Sequence, residues 1–196
     1  MRLADRSSLL GLLDRVDRDL REAGLTDAHV GLVGETSLLY EGWSEWADVL
    51  QINCEDESDD AGPVRSRLRE RAKELGLPLA TEHPAETFPL PDGYGERARP
   101  IETEHSVLRL HHFDPCAASF MAIARGAEPD YHLVLRFLEK GWMTVSSMDR
   151  RLRDLLLRIE AEGGAVDAAE MRRRFGGLLQ MWRMIDSGTV HRTTPT

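Results

Sequence analysis

The stretch VGLVGETSLLYEGWSEWADVLQI, residues 30–52 of this 196-residue chain, constrains the fold more than any other. A short apolar run from Val30 to Val33 meets Gly34, a helical stretch carrying Ser37, Leu38 and Leu39 follows, and a second strand begins near Asp48. A strand that turns through glycine into a helix and returns as another strand calls for a layered arrangement of sheet and helices.

The flanking segments continue this rhythm. Leu9, Leu12, Leu13, Val16 and Leu20 form one helical stripe, and Gly24 is placed to stop it. The strand around Val49 to Cys54 runs into the acidic stretch Glu55 to Asp60, which reads as a solvated loop before a helix. Val64, Leu68, Ala72 and Leu75 predict that helix, closed by Gly76 and Pro78. Leu79 to Thr81 suits an edge strand, the prolines and glycines between Pro84 and Gly95 an irregular loop, and Ser106 to His112 a half-buried strand. Beyond Asp114-Pro115 the pattern is helical. Ser147 can cap a helix carrying Met148, Leu152, Leu155 and Ile159, and Asp167 with Glu170 makes a capping box for Met171, Phe175, Leu178 and Trp182.

These elements predict an α/β (α+β) protein with a small mixed sheet flanked by helices and a helical C-terminal portion. The expected division is an α/β domain over 1–112, a helical portion over 113–186 packed on it, and a flexible polar tail over 187–196. A chain of this length buries about two-thirds of its unfolded surface without a disulfide scaffold. Cys54 and Cys116 have neither CxxC spacing nor an adjacent metal ligand, so both read as reduced, buried thiols in a cytoplasmic protein.

No apolar run approaches the roughly 18 residues that span a bilayer. The formal charge of −9 opposes broad nucleic-acid binding, which needs a basic face. From Ser147 onward nine arginines face seven acids, a balance of +2 that leaves −11 for residues 1–146.

The 30–52 stretch resembles the polymerase-beta-type nucleotidyltransferase superfamily, where a strand, a Gly-Gly or Gly-Ser turn and a helix precede a strand bearing Asp-x-Asp. Later blocks extend the resemblance over roughly residues 28–155: Phe88 to Tyr94 with Arg97, Phe113-Asp114-Pro115, Ala124-Arg125-Gly126 and Asp130-Tyr131. Together they look like an uncharacterised bacterial family of nucleotidyltransferase-like proteins. The resemblance implies a sheet of nucleotidyltransferase type, a nucleoside triphosphate held at Gly34, Glu35, Thr36 and Ser37, and Mg²⁺ held by carboxylates.

This chain departs from that pattern at three positions. Two metal-binding carboxylates on a strand must be two residues apart to share a face, and here Asp48 is followed by Leu50. Glu35 stands where the family has a small turn residue and sets negative charge against a triphosphate. Ala122 stands where the family pattern has a lysine. The expectation is therefore a protein that keeps the frame, has lost catalysis, and acts through binding, with a protein partner as the candidate. The alternative is an active Mg²⁺-dependent enzyme moving a nucleotide from a nucleoside triphosphate to protein or RNA. It would use Asp48 as the catalytic residue and Glu35 with Asp48 as metal ligands, joined by Glu82 or Glu86.

Other patterns carry less. His111 and His112 are strand neighbours facing opposite ways, which opposes a shared metal. Ser37 and Ser119 lack the Gly-x-Ser-x-Gly setting of a hydrolase nucleophile. Trp43 and Trp46 read as a hydrophobic cap over a helix end, or alternatively as an aromatic surface for a partner. Arg172-Arg173-Arg174 reads as a solvated helix face, or as a docking face for an acidic group. Arg125 and Asp130 read as an ion pair at a helix corner around Gly126.

Overall fold

The computed structural model describes residues 3–54, 62–162 and 166–187. The acidic run from Glu55 to Asp60 and the tail beyond Ser187 lie outside these residues. The chain divides into two compact units, Met1–Ala118 and Ser119–Thr196. The division falls inside a helix, a few residues after the strand end at which the sequence places it.

The first unit begins with strand β1 (Ala4–Asp5), whose last residue caps helix α1 (Arg6–Glu22). The Asp5 carboxylate accepts the Ser8 amide at 2.7 Å, satisfying one of the donors left open at a helix start. The sequence stripe is the buried face of α1: Leu9, Leu12, Leu13, Val16 and Leu20 are fully buried. The chain then turns at Gly24, where φ is +84°, and enters β2 (Ala28–Leu32).

Helix α2 (Glu35–Tyr40), the short strand β3 (Trp46–Ala47) and strand β4 (Leu50–Cys54) follow. After the undescribed residues come α3 (Pro63–Leu75), β5 (Leu79–Ala80), the one-turn helix α4 (Pro84–Thr87), a 3-10 turn at Gly95–Arg97, β6 (Arg99–Pro100) and β7 (Leu108–His112). Helix α5 (Pro115–Arg125) carries the chain across the division.

Among the described residues, a five-stranded mixed sheet has the order β5-β4-β2-β7-β6, and β1 pairs with β3 in a separate two-stranded ribbon. β2 runs parallel to β7 and antiparallel to β4, β4 runs parallel to β5, and β6 runs antiparallel to β7. The side-chain period of two divides the sheet into unlike faces. Val30 and Leu32, Leu50, Ile52 and Cys54, and Leu108 and Leu110 join the buried faces of α1 and α3 in one hydrophobic core. The other face carries His29 and Gly31, Gln51 and Asn53, and Arg109 and His111, with exposure falling from His29 and Arg109 to the buried Gly31, Asn53 and His111.

Polar anchors fix α1 against its neighbours. Arg71 of α3 grips Asp19 with two hydrogen bonds of 2.6 and 2.9 Å, a forked geometry that Arg alone offers. Asp17 accepts the Ser106 amide and hydroxyl and the Val107 and Leu108 amides. That carboxylate explains a difference from the sequence reading. Ser106 and Val107 alternate like a strand, yet β7 starts at Leu108 because the amides ahead of it turn toward Asp17.

The second unit contains the end of α5, α6 (Glu128–Glu139), α7 (Val145–Glu162) and α8 (Ala168–Asp186). Met148, Leu152, Leu155 and Ile159 of α7 are buried, as are Met171, Phe175 and Leu178 of α8. Asp167 caps α8 as expected, accepting the Ala169 and Glu170 amides at 2.9 and 3.0 Å, while the Glu170 carboxylate turns to Arg173 and Arg174 instead of closing a capping box. The α7 cap is Thr144 rather than Ser147: each amide meets the other's hydroxyl at 3.1 Å, so Ser147 lies inside the first turn and completes the box.

Arg125 and Asp130 are ion-paired at 2.5 Å around Gly126, and Asp130 also accepts the Ala127 amide that opens α6. Ala122, where the resemblance expects a lysine, is wholly buried in this unit. The arginine run of α8 is engaged internally. Arg173 and Arg174 share Glu170, Arg172 pairs with Glu160, and Arg174 also donates to the carbonyls of Ile123 and Ala124 at the end of α5. Two guanidinium groups hold the Glu170 carboxyl down at about 2.

Candidate functional site

The Gly34 turn has the shape the sequence implies, and its polar groups face inward. Gly34 adopts φ +56° and ψ −117°, a conformation open to glycine and strained for other residues. The amides of Thr36 and Ser37 donate to the Val33 and Gly34 carbonyls at 3.1 and 3.0 Å. The Ser37 hydroxyl, buried, donates to the Leu32 carbonyl at 2.7 Å, and the buried Thr36 hydroxyl accepts the Gln51 amide at 2.7 Å. Thr36 and Ser37 thus tie α2 to β4 and β2. Glu35 is partly exposed.

Asp48 is exposed just ahead of β4, and Leu50 is fully buried in the core between sheet and helices. A carboxylate at position 50 would project into that apolar layer, where an unpaired charge costs several kcal/mol. The residues at this end of the sheet therefore do not fit a two-carboxylate metal pair. Glu82 and Glu86 are exposed on the chain after β5. Among the described residues, no group of three or more His, Cys, Asp or Glu side chains is placed to hold a metal ion.

Two of the later sequence blocks, Phe88 to Arg97 and Phe113 to Pro115, lie in the first unit. Arg97 donates through Nε to the nearly buried Asp114 at 2.8 Å, with its second nitrogen at 2.7 Å, while Asp114 also accepts the Cys116 amide at the start of α5. Tyr94 packs on Phe113 with ring centroids 5.6 Å apart and on His83 at 6.1 Å. The blocks around Phe88 to Arg97 and Phe113 to Pro115 meet through these contacts. Cys54 and Cys116 are both free and buried.

The two histidines of β7 do face opposite ways. His111 lies over Gly31: a Cβ there would stand 2.7 Å from its Nε2, so only glycine lets β2 pass beneath the ring. His112 bonds Glu41 at 2.9 Å and meets the Tyr40 ring edge-on at 5.9 Å. Burial holds the His112 imidazole below its ordinary value even though the Glu41 carboxylate pulls the other way. Asp17, Gly31 and Glu41 were not legible as partners, because each contact joins residues far apart in sequence.

Trp46 differs from the helix-cap reading. It lies on β3 and is 52% exposed. No helix among the described residues is long and apolar enough to cross a membrane. Comparison of the chain with family models, curated proteins and solved structures returned no match.

Proposed function

We propose that this chain is a nucleotidyltransferase-like protein that has lost catalysis and acts by binding a partner. The observation that carries the reading is Leu50, an apolar side chain fully buried where the resemblance requires the second metal-binding carboxylate. The internal hydrogen bonds of Thr36 and Ser37 support it, because groups that would meet a triphosphate instead stitch α2 to the sheet.

The test is incubation of the full chain with labelled nucleoside triphosphates, Mg²⁺ or Mn²⁺ and a cell extract as acceptor. The expected result is no transferred label. Metal-dependent labelling that disappears in Asp48→Ala would overturn the proposal in favour of an active nucleotidyltransferase.

A further inference from the structure

The chain holds a single asparagine, and the fold buries it. Asn53 lies on β4, an inner strand of the five-stranded sheet, and is 0% exposed. Strand interiors select against this residue and burial of its amide carries a desolvation cost, so neither strand propensity nor core packing accounts for it. Its side-chain oxygen and nitrogen both lack a hydrogen-bond partner among the described residues. Buried amides in folded proteins are ordinarily satisfied, and one with both atoms orphaned calls for a partner from outside the chain.

Strand register supplies the surroundings. Asn53 stands opposite Gly31 on β2, and Gly31 opposite His111 on β7, so the three form one row on the sheet face turned away from α1 and α3. Gly31 contributes no side chain, and the His111 ring lies over it with Nε2 nearest, so the imidazole leans from β7 toward β4. Exposure rises from this row in both directions, to the half-buried Gln51 on the same face of β4 and to the exposed His29 and Arg109 on β2 and β7.

The chemistry of the row names the class of ligand. An asparagine amide offers an acceptor beside two donors and carries no charge, and Gln51 repeats that set two residues away. An ion brought into the buried row would lose its hydration, and neither amide supplies an opposite charge to replace it. A neutral planar group with its own donor beside an acceptor, a carboxamide or a lactam, closes two hydrogen bonds with Asn53 and is flat enough to lie beside the imidazole.

We propose that the row of Asn53, Gly31 and His111 is a binding site for a small neutral ligand bearing a planar carboxamide or lactam. Asn53 holds the ligand through both atoms of its amide, Gln51 meets its outer end, and the bare Gly31 keeps the floor between β4 and the imidazole low. The site is separate from the docking of a protein partner and stands whether or not the chain transfers a nucleotide.

Because Asn53 is the single asparagine, isotope-labelled asparagine gives the full chain one side-chain amide pair in its nitrogen–proton spectrum. Benzamide and 2-pyridone are titrated as carboxamide and lactam, with benzoate as the charged control. The expected result is a saturable shift of the Asn53 pair with benzamide, 2-pyridone or both, which tells which group the site takes, and none with benzoate. Asn53→Leu removes an amide that no described group satisfies, so it is expected to melt no lower than wild type and to bind the responding probe about tenfold more weakly, read by the Gly31 backbone amide. Gln51→Leu is expected to weaken the same probe several-fold. An Asn53 pair that exchanges with water alone and stays unmoved through both titrations would overturn the proposal, as would equal binding by Asn53→Leu. Should that variant not fold, the wild-type titration decides by itself.

Discussion

The Asp17 carboxylate accepts the backbone amide of Leu108 at 2.9 Å, tying the first helix to the start of a strand 91 residues away. It also takes the Ser106 and Val107 amides and the Ser106 hydroxyl, so one side chain satisfies four donors. Burial alone raises a carboxyl, and here the amides of Leu108, Val107 and Ser106 outweigh it and bring Asp17 down to about 2.

Linkage gives that pairing a pH signature. A carboxyl lowered from 3.8 to about 2 contributes stability that is complete above its unfolded value and is lost as pH falls from about 4 to about 2. The contribution is about 2 kcal/mol near neutral pH. Urea unfolding followed across this range is expected to show wild type losing that increment while Asp17→Asn shows a flatter acid limb. Parallel pH profiles for the two proteins would count against the account.

Thr36→Val leaves the Gln51 amide without its acceptor and should cost about 1–3 kcal/mol, with Ser37→Ala costing about 1 kcal/mol. Denaturant titration measures both. If neither substitution shifts the midpoint, the two hydroxyls are not the stitches between α2 and the sheet that the geometry indicates.

Leu50→Asp restores the acidic spacing of the resemblance and places a charge in the core. The expected outcome is a destabilisation of at least about 3 kcal/mol and no gain of nucleotide transfer. A variant that keeps wild-type stability in a thermal melt, or that labels substrates with Mg²⁺, would contradict the burial argument.

Gly31→Ala drives a methyl against the His111 ring, 2.7 Å from Nε2, and should cost about 1–3 kcal/mol. Adding His111→Ala removes the obstacle. A double-mutant cycle is expected to show coupling of about 1 kcal/mol or more between the two positions, whereas simple additivity would mean that the ring yields freely.

Gly126→Ala meets two obstacles at once, a positive φ of +71° and the Arg174 guanidinium 2.6 Å from the new Cβ. Arg174→Met should also destabilise, by removing a donor from the last carbonyls of α5. Hydrogen exchange at the α5–α6 corner is expected to quicken in both variants, and an unchanged protection pattern would rule out the cap.

Periodicity carried much of this fold because burial on one face leaves a repeating mark in the sequence. The stripes of α1, α3 and α7 and the Leu108–Leu110 face of β7 are where the spacing puts them, and in α8 Met171, Phe175 and Leu178 are buried while Trp182 is partly exposed. The ribbon left no such mark, since two residues per strand are too few to show a period, and pairing Asp5 with Trp46 depends on a chain reversal through all of α1 and β2. At the candidate site, the sequence showed Leu50 and Glu35 at positions where the resemblance implies a carboxylate and a small turn residue. It did not show that Thr36 and Ser37 hydroxyls were already engaged, because their partners Gln51 and Leu32 are set by the approach of α2 to the sheet.

The sequence alone determined the class of fold, the apolar helix faces and the apolar residue two positions after Asp48, since these depend on residue type and local spacing. The tertiary structure decided the direction of β7, the reach of Arg174 to the carbonyls at the end of α5 and the exposure of Trp46. Each of those depends on which distant side chain or backbone group lies against a polar atom or an apolar face in the folded chain, and local propensity does not encode that meeting.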